Sequence, residues 1–232
     1  MLKEKIKRFG INHPILLSGF RKTFGRIKTK YFFAVQSRYL RNNGESLISM
    51  IDQVLSKAGA RYFVDCGTLL GYIRDNKPIE YDRDLDFGIY FDDKFTPQML
   101  ENAMTRIGLH RITIGYIENE VQAVTYAKGI LHVDFFRHTE VKNNSLLYVL
   151  YRDPSIIYPS NEHCSVIVQK RAHITGLQHA KIGDIETNIP EHVEEYLASA
   201  YTDNWTTPDP NWQYTMEPGC TYLNIYGIKR HQ

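Results

Sequence analysis

Residues 65–91, DCGTLLGYIRDNKPIEYDRDLDFGIYF, constrain this chain more than any other stretch. They open on a small-residue turn, Gly67-Thr68, and end as an apolar strand with Asp82, Asp84 and Asp86 at its start. A strand that enters a core does not begin with so many carboxylates unless something holds their charge together. Successive side chains along a strand point to opposite faces. Asp84 and Asp86 therefore share one face, while Leu85, Phe87, Ile89 and Phe91 point the other way into the core. The apolar side pins the strand, and the pinned strand fixes two carboxylates close together. Like charges so placed are costly unless a proton or a cation lies between them. Hard oxygen ligands without His or Cys point to magnesium or manganese. Magnesium takes only one or two protein carboxylates and completes its shell with water and phosphate oxygens. Such a seat is half of a phosphate site.

The other half lies upstream. A glycine at 67 lets a backbone come close to a bulky anion. The helix that begins there aims its unpaired N–H groups and positive dipole end at that anion. Thr68 adds a hydroxyl, and Arg74 a forked donor. A third carboxylate comes from ILHVDFF, 130–136, where His132 and Asp134 alternate with Val133 and Phe135. On a neighbouring strand, Asp134 completes a platform for one cation or for a pair about 3.5–4 Å apart. Each piece has a plainer alternative. An Asp-x-Asp is commonly a solvated strand end, and Gly-Thr before a helix a simple cap. Arg74 has Asp75 and Asp82 to neutralise, His132 fits a core, and Asp82 fits a turn cap. The ordered combination carries the reading.

The rest of the chain mixes strand and helix. RNNGES, 41–46, reads as a loop, Ser46 to Lys57 as an amphipathic helix ended by Gly59, and RYFVDC, 61–66, as a buried strand. Thr96 and Pro97 suit the cap and first position of a helix to Ile107. Strand-like runs follow at 111–117, 121–127 and 130–136, with 145–152 open between strand and helix. Further strand-like pieces stand at 155–158 and 164–170, a helix at 190–201, and a turn-and-loop stretch at 204–220. The expected fold is α+β: a mixed β-sheet flanked by helices, with a loop-rich C-terminal part.

Charge divides the chain. Residues 1–44 hold eleven Lys or Arg and one acid, a net +10; the remainder holds 17 basic and 25 acidic residues, a net −8. The expected division is a basic extension, 1–44, followed by a catalytic domain, 45–232. The extension reads either as a solvated arm or as a peripheral contact with anionic phospholipid or a polyanionic acceptor. No nucleic-acid partner is expected, since the acidic body repels phosphate. The three cysteines are far apart and unpaired, so they read as reduced thiols with no zinc site. No apolar run reaches the ~18–20 residues of a membrane span, and the N-terminus lacks a secretory pattern. A cytoplasmic location is expected, with any membrane contact at its inner face. Tyrosines 148, 151 and 158 offer an aromatic cage or ordinary packing, and Lys170, Arg171 and Lys181 offer phosphate contacts or plain surface.

At these residues the sequence resembles the LicD/fukutin branch of the nucleotidyltransferase superfamily. That branch reads hGTLLG-h-R, a proline-containing turn, then WDxDhDhgh. Gly67-Thr68-Leu69-Leu70-Gly71 and Arg74 match, as do Asp82, Asp84 and Asp86. Tyr81 replaces the usual Trp, and the proline of KPIEYD is displaced. HVDFF matches the later strand, and residues 189–208 resemble the C-terminal element, with Tyr201-Thr202-Asp203 where a glycine is usual. The resemblance spans about residues 45–210. It implies a nucleotidyltransferase-like fold and a phosphotransferase dependent on Mg2+ (or Mn2+). The group moved would be phosphocholine- or polyol-phosphate-like, and the donor CDP-linked. The acceptor would be a hydroxyl of a glycan, lipopolysaccharide or other polymer, in cell-surface polysaccharide or glycoconjugate modification. By the same resemblance Asp84 and Asp86 bind the cation, and Asp134 completes the platform and serves as base. Gly67, Thr68 and Arg74 hold the pyrophosphate. A second reading is a nucleotidyltransferase that adds a nucleoside monophosphate to a small-molecule hydroxyl. The Gly-Thr helix start argues against an Asp-x-Asp glycosyltransferase, and the intact carboxylates argue against an inactive binding relative.

Overall fold

A computed structural model describes the backbone from Pro14 to Gln232, except Tyr214 and Met216, and the side chains from Tyr31 onward. The first helix, α1 (Pro14–Lys57), is 44 residues long. It runs unbroken through RNNGES, so the loop expected at 41–46 is a helical turn, and the boundary expected at residue 44 falls inside one element. Packing explains the difference. Leu40, Leu47, Ile48, Ile51 and Leu55 are all buried. Gln36 Nε2 donates to Ile130 O at 3.0 Å, and Asn43 Nδ2 to Tyr39 O at 2.9 Å within the helix. Tertiary burial of one face outweighs the weak local propensity of Asn and Gly. Residues 1–13, a third of the basic extension, lie outside the described residues, and with them part of its expected membrane or polymer contact. Among the described residues no helix is long and apolar enough to cross a membrane.

Beyond Gly59, in the left-handed region at φ +70°, comes the buried strand β1 (Tyr62–Val64). Helix α2 (Cys66–Asp75) starts on Asp65, whose carboxylate accepts from Cys66 N, and stops at Asn76. Strand β2 (Asp84–Ile89) and helix α3 (Pro97–Arg106) follow, the latter capped by Thr96 with proline in its first turn. Then come β3 (His110–Ile117), β4 (Glu120–Lys128), β5 (Leu131–Val141) and β6 (Asn144–Tyr151). Residues 145–152 are thus strand. The chain continues through β7 (His163–Ala172), the hairpin β8 (Leu177–Ile182) and β9 (Ile185–Pro190), α4 (Val193–Tyr201) and β10 (Cys220–His231). Residues 155–158, expected as strand-like, are turn and bend.

Among the described residues the main sheet has eight strands, in the order β1-β2-β5-β4-β3-β10-β7-β6. Only β2 and β5 run parallel; the other neighbours are antiparallel. The far half of β5 also pairs with β6, so β5-β4-β3-β10-β7-β6 close into a ring. The architecture is the mixed α+β sheet flanked by helices that the pattern predicted, consistent with a nucleotidyltransferase-like fold. One face of β2, β5 and β4 carries Leu85, Phe87, Ile89, Val133, Phe135, Val124 and Tyr126, all buried in one core with α1 and with Leu100 and Met104 of α3. Phe87 and Phe135 stack with centroids 5.2 Å apart. Each such side chain contributes about 1.5–3 kcal/mol by leaving water. That packing fixes the strand register, and the register turns the aspartates to the other face.

Candidate active site

The parallel pairing of β2 with β5 sets Asp86 opposite Asp134 and Asp84 opposite His132. Asp134 stands opposite Thr125 on β4, and Thr125 opposite Thr113 on β3. One polar row, Asp86-Asp134-Thr125-Thr113, thus crosses four strands on the face away from the core. Thr113 Oγ1 donates to Thr125 Oγ1 at 3.0 Å. Asp84, Asp86 and Asp134 are therefore brought together on one face.

Their electrostatics agree with crowding. Burial, then the charges of Asp84 and Asp134, push the Asp86 carboxyl well above its ordinary range. Burial also lifts Asp134 to about 6; Asp84 adds to this, while a hydrogen bond from Thr125 and the charge of Lys229 oppose it. Burial and Asp84 push Asp82 up to about 7. Among the described residues no cationic side chain forms an ion pair with Asp82, Asp84, Asp86 or Asp134. Also among the described residues, no group of three or more His, Cys, Asp or Glu side chains forms a ready metal cage. The donors are hard oxygens alone, and two same-face carboxylates satisfy the one or two that magnesium takes from a protein. The residues present fit that ion as a seat completed by a ligand.

The three residues expected to grip an anion are placed differently from one another. Gly67 sits in the first turn of α2, and a Cβ there would stand 3.0 Å from Asp82 Oδ2. Its missing side chain thus makes room for a carboxylate. The Thr68 hydroxyl is buried and accepts from Asp86 N–H at 2.9 Å. Its oxygen ties the start of α2 to the strand that bears the aspartates. Arg74 donates through Nε and Nη2 to Asp75 Oδ2, at 3.0 and 2.8 Å. It also lines a cavity of about 550 Å³ with Gly67, Asp82, Tyr201, Trp205 and Trp212. The aromatic wall comes from the end of α4 and the segment after it, where the rings of Tyr201 and Trp212 lie 5.1 Å apart. Sequence reading caught this segment only as a loose C-terminal resemblance, and Trp212 not at all.

Sequence reading also missed what anchors α2. Asp65 is fully buried. Its Oδ1 accepts from Cys66 N at 2.7 Å, Arg171 Nη1 at 2.8 Å and Tyr196 OH at 2.7 Å. Its Oδ2 accepts from His138 Nε2 at 2.9 Å, and His138 Nδ1 meets Ser145 Oγ at 2.8 Å. Arg171 Nε donates to Glu217 Oε1 at 2.6 Å. Burial alone would raise the Asp65 carboxyl, but Arg171 and His138 hold it well below the usual range. Arg171 is therefore buried and paired, neither surface nor a phosphate contact. The network also pins Cys66, whose φ of 47° is a strained value for a residue with a side chain. The tyrosines proposed as a cage pack elsewhere: Tyr151 against Tyr222 and Tyr158 against Tyr226, and neither lines the cavity.

The family model described as LicD/FKTN/FKRP, nucleotidyltransferase domain, matches residues 59–192. The chain belongs to the LicD family. The match contains β1 through β9, hence Gly67, Thr68, Arg74, Asp82, Asp84, Asp86 and Asp134; Trp205, Trp212 and β10 lie beyond it. The chain is also similar to the curated "Ribitol-5-phosphate transferase FKTN" of Macaca fascicularis and of Homo sapiens. Each is 22% identical over 189 residues, which is 79% of this chain and 38% of the relative. The Mus musculus protein of the same name is 21% identical over the same length. The chain thus spans well under half the length of these relatives.

Proposed function

We propose that this LicD-family chain moves a phosphorylated alcohol from a CDP-linked donor to a hydroxyl of a glycan or glycan-bearing polymer. The observation that carries the reading is the row of carboxylates on β2 and β5, without an ion-pair partner among the described residues, set beside an aromatic-walled cavity at the start of α2. A divalent ion, magnesium or manganese, held by Asp84 and Asp86 with Asp134, would neutralise the diphosphate. The chain's own groups then have distinct tasks. Backbone N–H groups in the first turn of α2 face the pyrophosphate, and Arg74 closes on it from the same cavity. Asp82 lines the same cavity, in the room left by the missing side chain of Gly67. Trp205 and Trp212 offer faces on which a cytosine ring stacks.

Asp134, opposite Asp86 and lining the open side of the carboxylate row, is the carboxylate placed to take a proton from the acceptor hydroxyl. The acceptor oxygen forms a bond to the phosphorus that bears the alcohol. The bond from that phosphorus to the bridging anhydride oxygen breaks, its electron pair leaves with CMP, and the hydroxyl proton passes to Asp134. Such transfer depends on positioning and charge stabilisation more than on covalent help from the protein.

The second reading is transfer of the nucleotide itself, favoured by the nucleotidyltransferase domain that the family description names. Product analysis decides between them. Incubation with a divalent ion, CDP-ribitol, CDP-glycerol or CDP-choline, and a glycan acceptor yields free CMP if the phosphorylated alcohol is moved. A nucleoside monophosphate covalently attached to the acceptor would establish the second reading.

A further inference from the structure

The carboxylate face continues past Asp134 into a second cavity, of about 330 Å³, on the side of β4, β3 and β10. Thr113, Thr125, His132, Asp134, Leu150 and Lys229 line it. No residue lines both this cavity and the aromatic-walled one. Register explains the hollow. Lys229 on β10 stands opposite Gly115 on β3, and Gly115 opposite Ala123 on β4. Two near-absent side chains lower the sheet floor between Lys229 and the carboxylate row. A Cβ at Gly115 would already press on Leu150 Cδ2 at 3.3 Å.

Lys229 is half-buried, and among the described residues its ammonium takes part in no hydrogen bond or ion pair. Its neighbour Arg230 points away, over the Tyr116 ring and towards Glu162. The Lys229 charge reaches Asp134 across the cavity and opposes the rise of that carboxyl, but among the described residues no carboxylate comes within ion-pair distance of it. The face beside it bears Asp82, Asp84, Asp86 and Asp134, which repel anions. Lys229, with the His132 imidazole across the hollow, is the attractive point on that face for a negatively charged group.

We infer that this second cavity seats the acceptor, and that Lys229 and His132 bind an anionic group of it, a phosphate ester or a carboxylate, so that a neighbouring hydroxyl faces Asp134. The reaction in this inference rests on the phosphotransferase reading; the anion seat does not. Donor and acceptor then approach the carboxylate row from opposite sides, as an in-line displacement requires. Recognition of a charged acceptor also gives specificity against neutral polyols that a hollow lined by threonine and leucine cannot give.

The test is calorimetric titration of the full chain with magnesium present, using sn-glycerol 3-phosphate, glucuronate, glycerol and CDP as probes. At least one of the two anions is expected to bind with one-site stoichiometry and glycerol not at all; the tighter anion names the source. Lys229→Met, which keeps the aliphatic stem, is expected to weaken the anion by at least about tenfold, roughly 1.4 kcal/mol, with Lys229→Arg restoring part of it. CDP affinity should be the same in Lys229→Met, with an unchanged melting temperature. Trp212→Ala should weaken CDP and leave the anion untouched. Equal binding of glycerol, no anion binding by the parent chain, or an anion bound as tightly by Lys229→Met would each overturn the inference. Failure of CDP to bind the parent chain, with Lys229-dependent anion binding intact, would count against the donor reading alone.

Discussion

Two clusters of charge flank the start of α2, and they are built on opposite principles. On one side Asp65, His138, Arg171, Tyr196 and Glu217 are buried together, every carboxylate matched by a donor. On the other, Asp82, Asp84, Asp86 and Asp134 crowd one face with no ion-pair partner among the described residues. The first cluster lowers the Asp65 carboxyl and the second raises Asp82, Asp86 and Asp134. Compensated charge fixes the position of a helix start. Crowded like charge instead raises the proton affinity of that face and its attraction for cations. Thr68 joins the two, since it sits in α2 and binds the backbone of Asp86.

Removing one partner of the compensated cluster should have the largest effect. Arg171→Met leaves Asp65 and Glu217 buried without their cation, so denaturant melts should show a loss of about 3–5 kcal/mol. Asp65→Asn, which keeps the shape, should cost less. In the uncompensated cluster the sign reverses. Asp86→Asn should retain or slightly raise stability, because it relieves repulsion, while turnover falls by at least about 10²-fold as charge stabilisation is lost. A variant with parental activity in a divalent-dependent assay would erase the distinction.

Trp212→Ala should weaken CDP binding by about 1–3 kcal/mol, the usual worth of a base stacked on an aromatic ring. Thermal stability should change little, since Trp212 stands in a turn-rich segment.

The smallest effect, and the sharpest contrast, is in pH. Asp82 and Asp134 have folded values near 7 and 6, above the ordinary carboxylate value near 4. In chelator-treated protein their contribution is fully present below about pH 4 and is lost as pH rises through 6–7. Asp65 is lowered, so its contribution is present above about pH 4 and is lost as pH falls further. The metal-free chain should therefore melt at least about 3 °C lower at pH 8 than at pH 5, and lower again below pH 4. A flat profile between pH 5 and 8 would mean that the carboxylates do not crowd.

The uncompensated cluster was legible in the sequence and the compensated one was not. Asp84, Asp86 and Asp134 each sit in a short alternating strand, so their facing follows from period two, and only the neighbouring of two strands remained to be supplied. Asp65 and Arg171 are 106 residues apart, and neither carries a local mark of pairing. The same holds for β10. It begins where the turn-rich stretch 204–220 ends, and its partners β3 and β7 are distant in sequence. Residues 41–46 misled because Asn, Gly and Ser describe local preference, while Leu40 and Leu47 on either side are buried against the sheet and hold the helix together. Trp212 joins the cavity only through the folding back of the segment after α4, which no periodicity announces.

The claim that the aspartates on the sheet face away from the core form a seat for a divalent ion and a bound diphosphate is tested most directly by thermal melts with magnesium or manganese and CDP. Ligand that binds only the native state raises the melting temperature by mass action. The parent chain should gain stability from metal and nucleotide together, more than from either alone, and Asp84→Asn and Asp86→Asn should gain none. Equal gains in the parent and in both variants, or no gain in any, would contradict it.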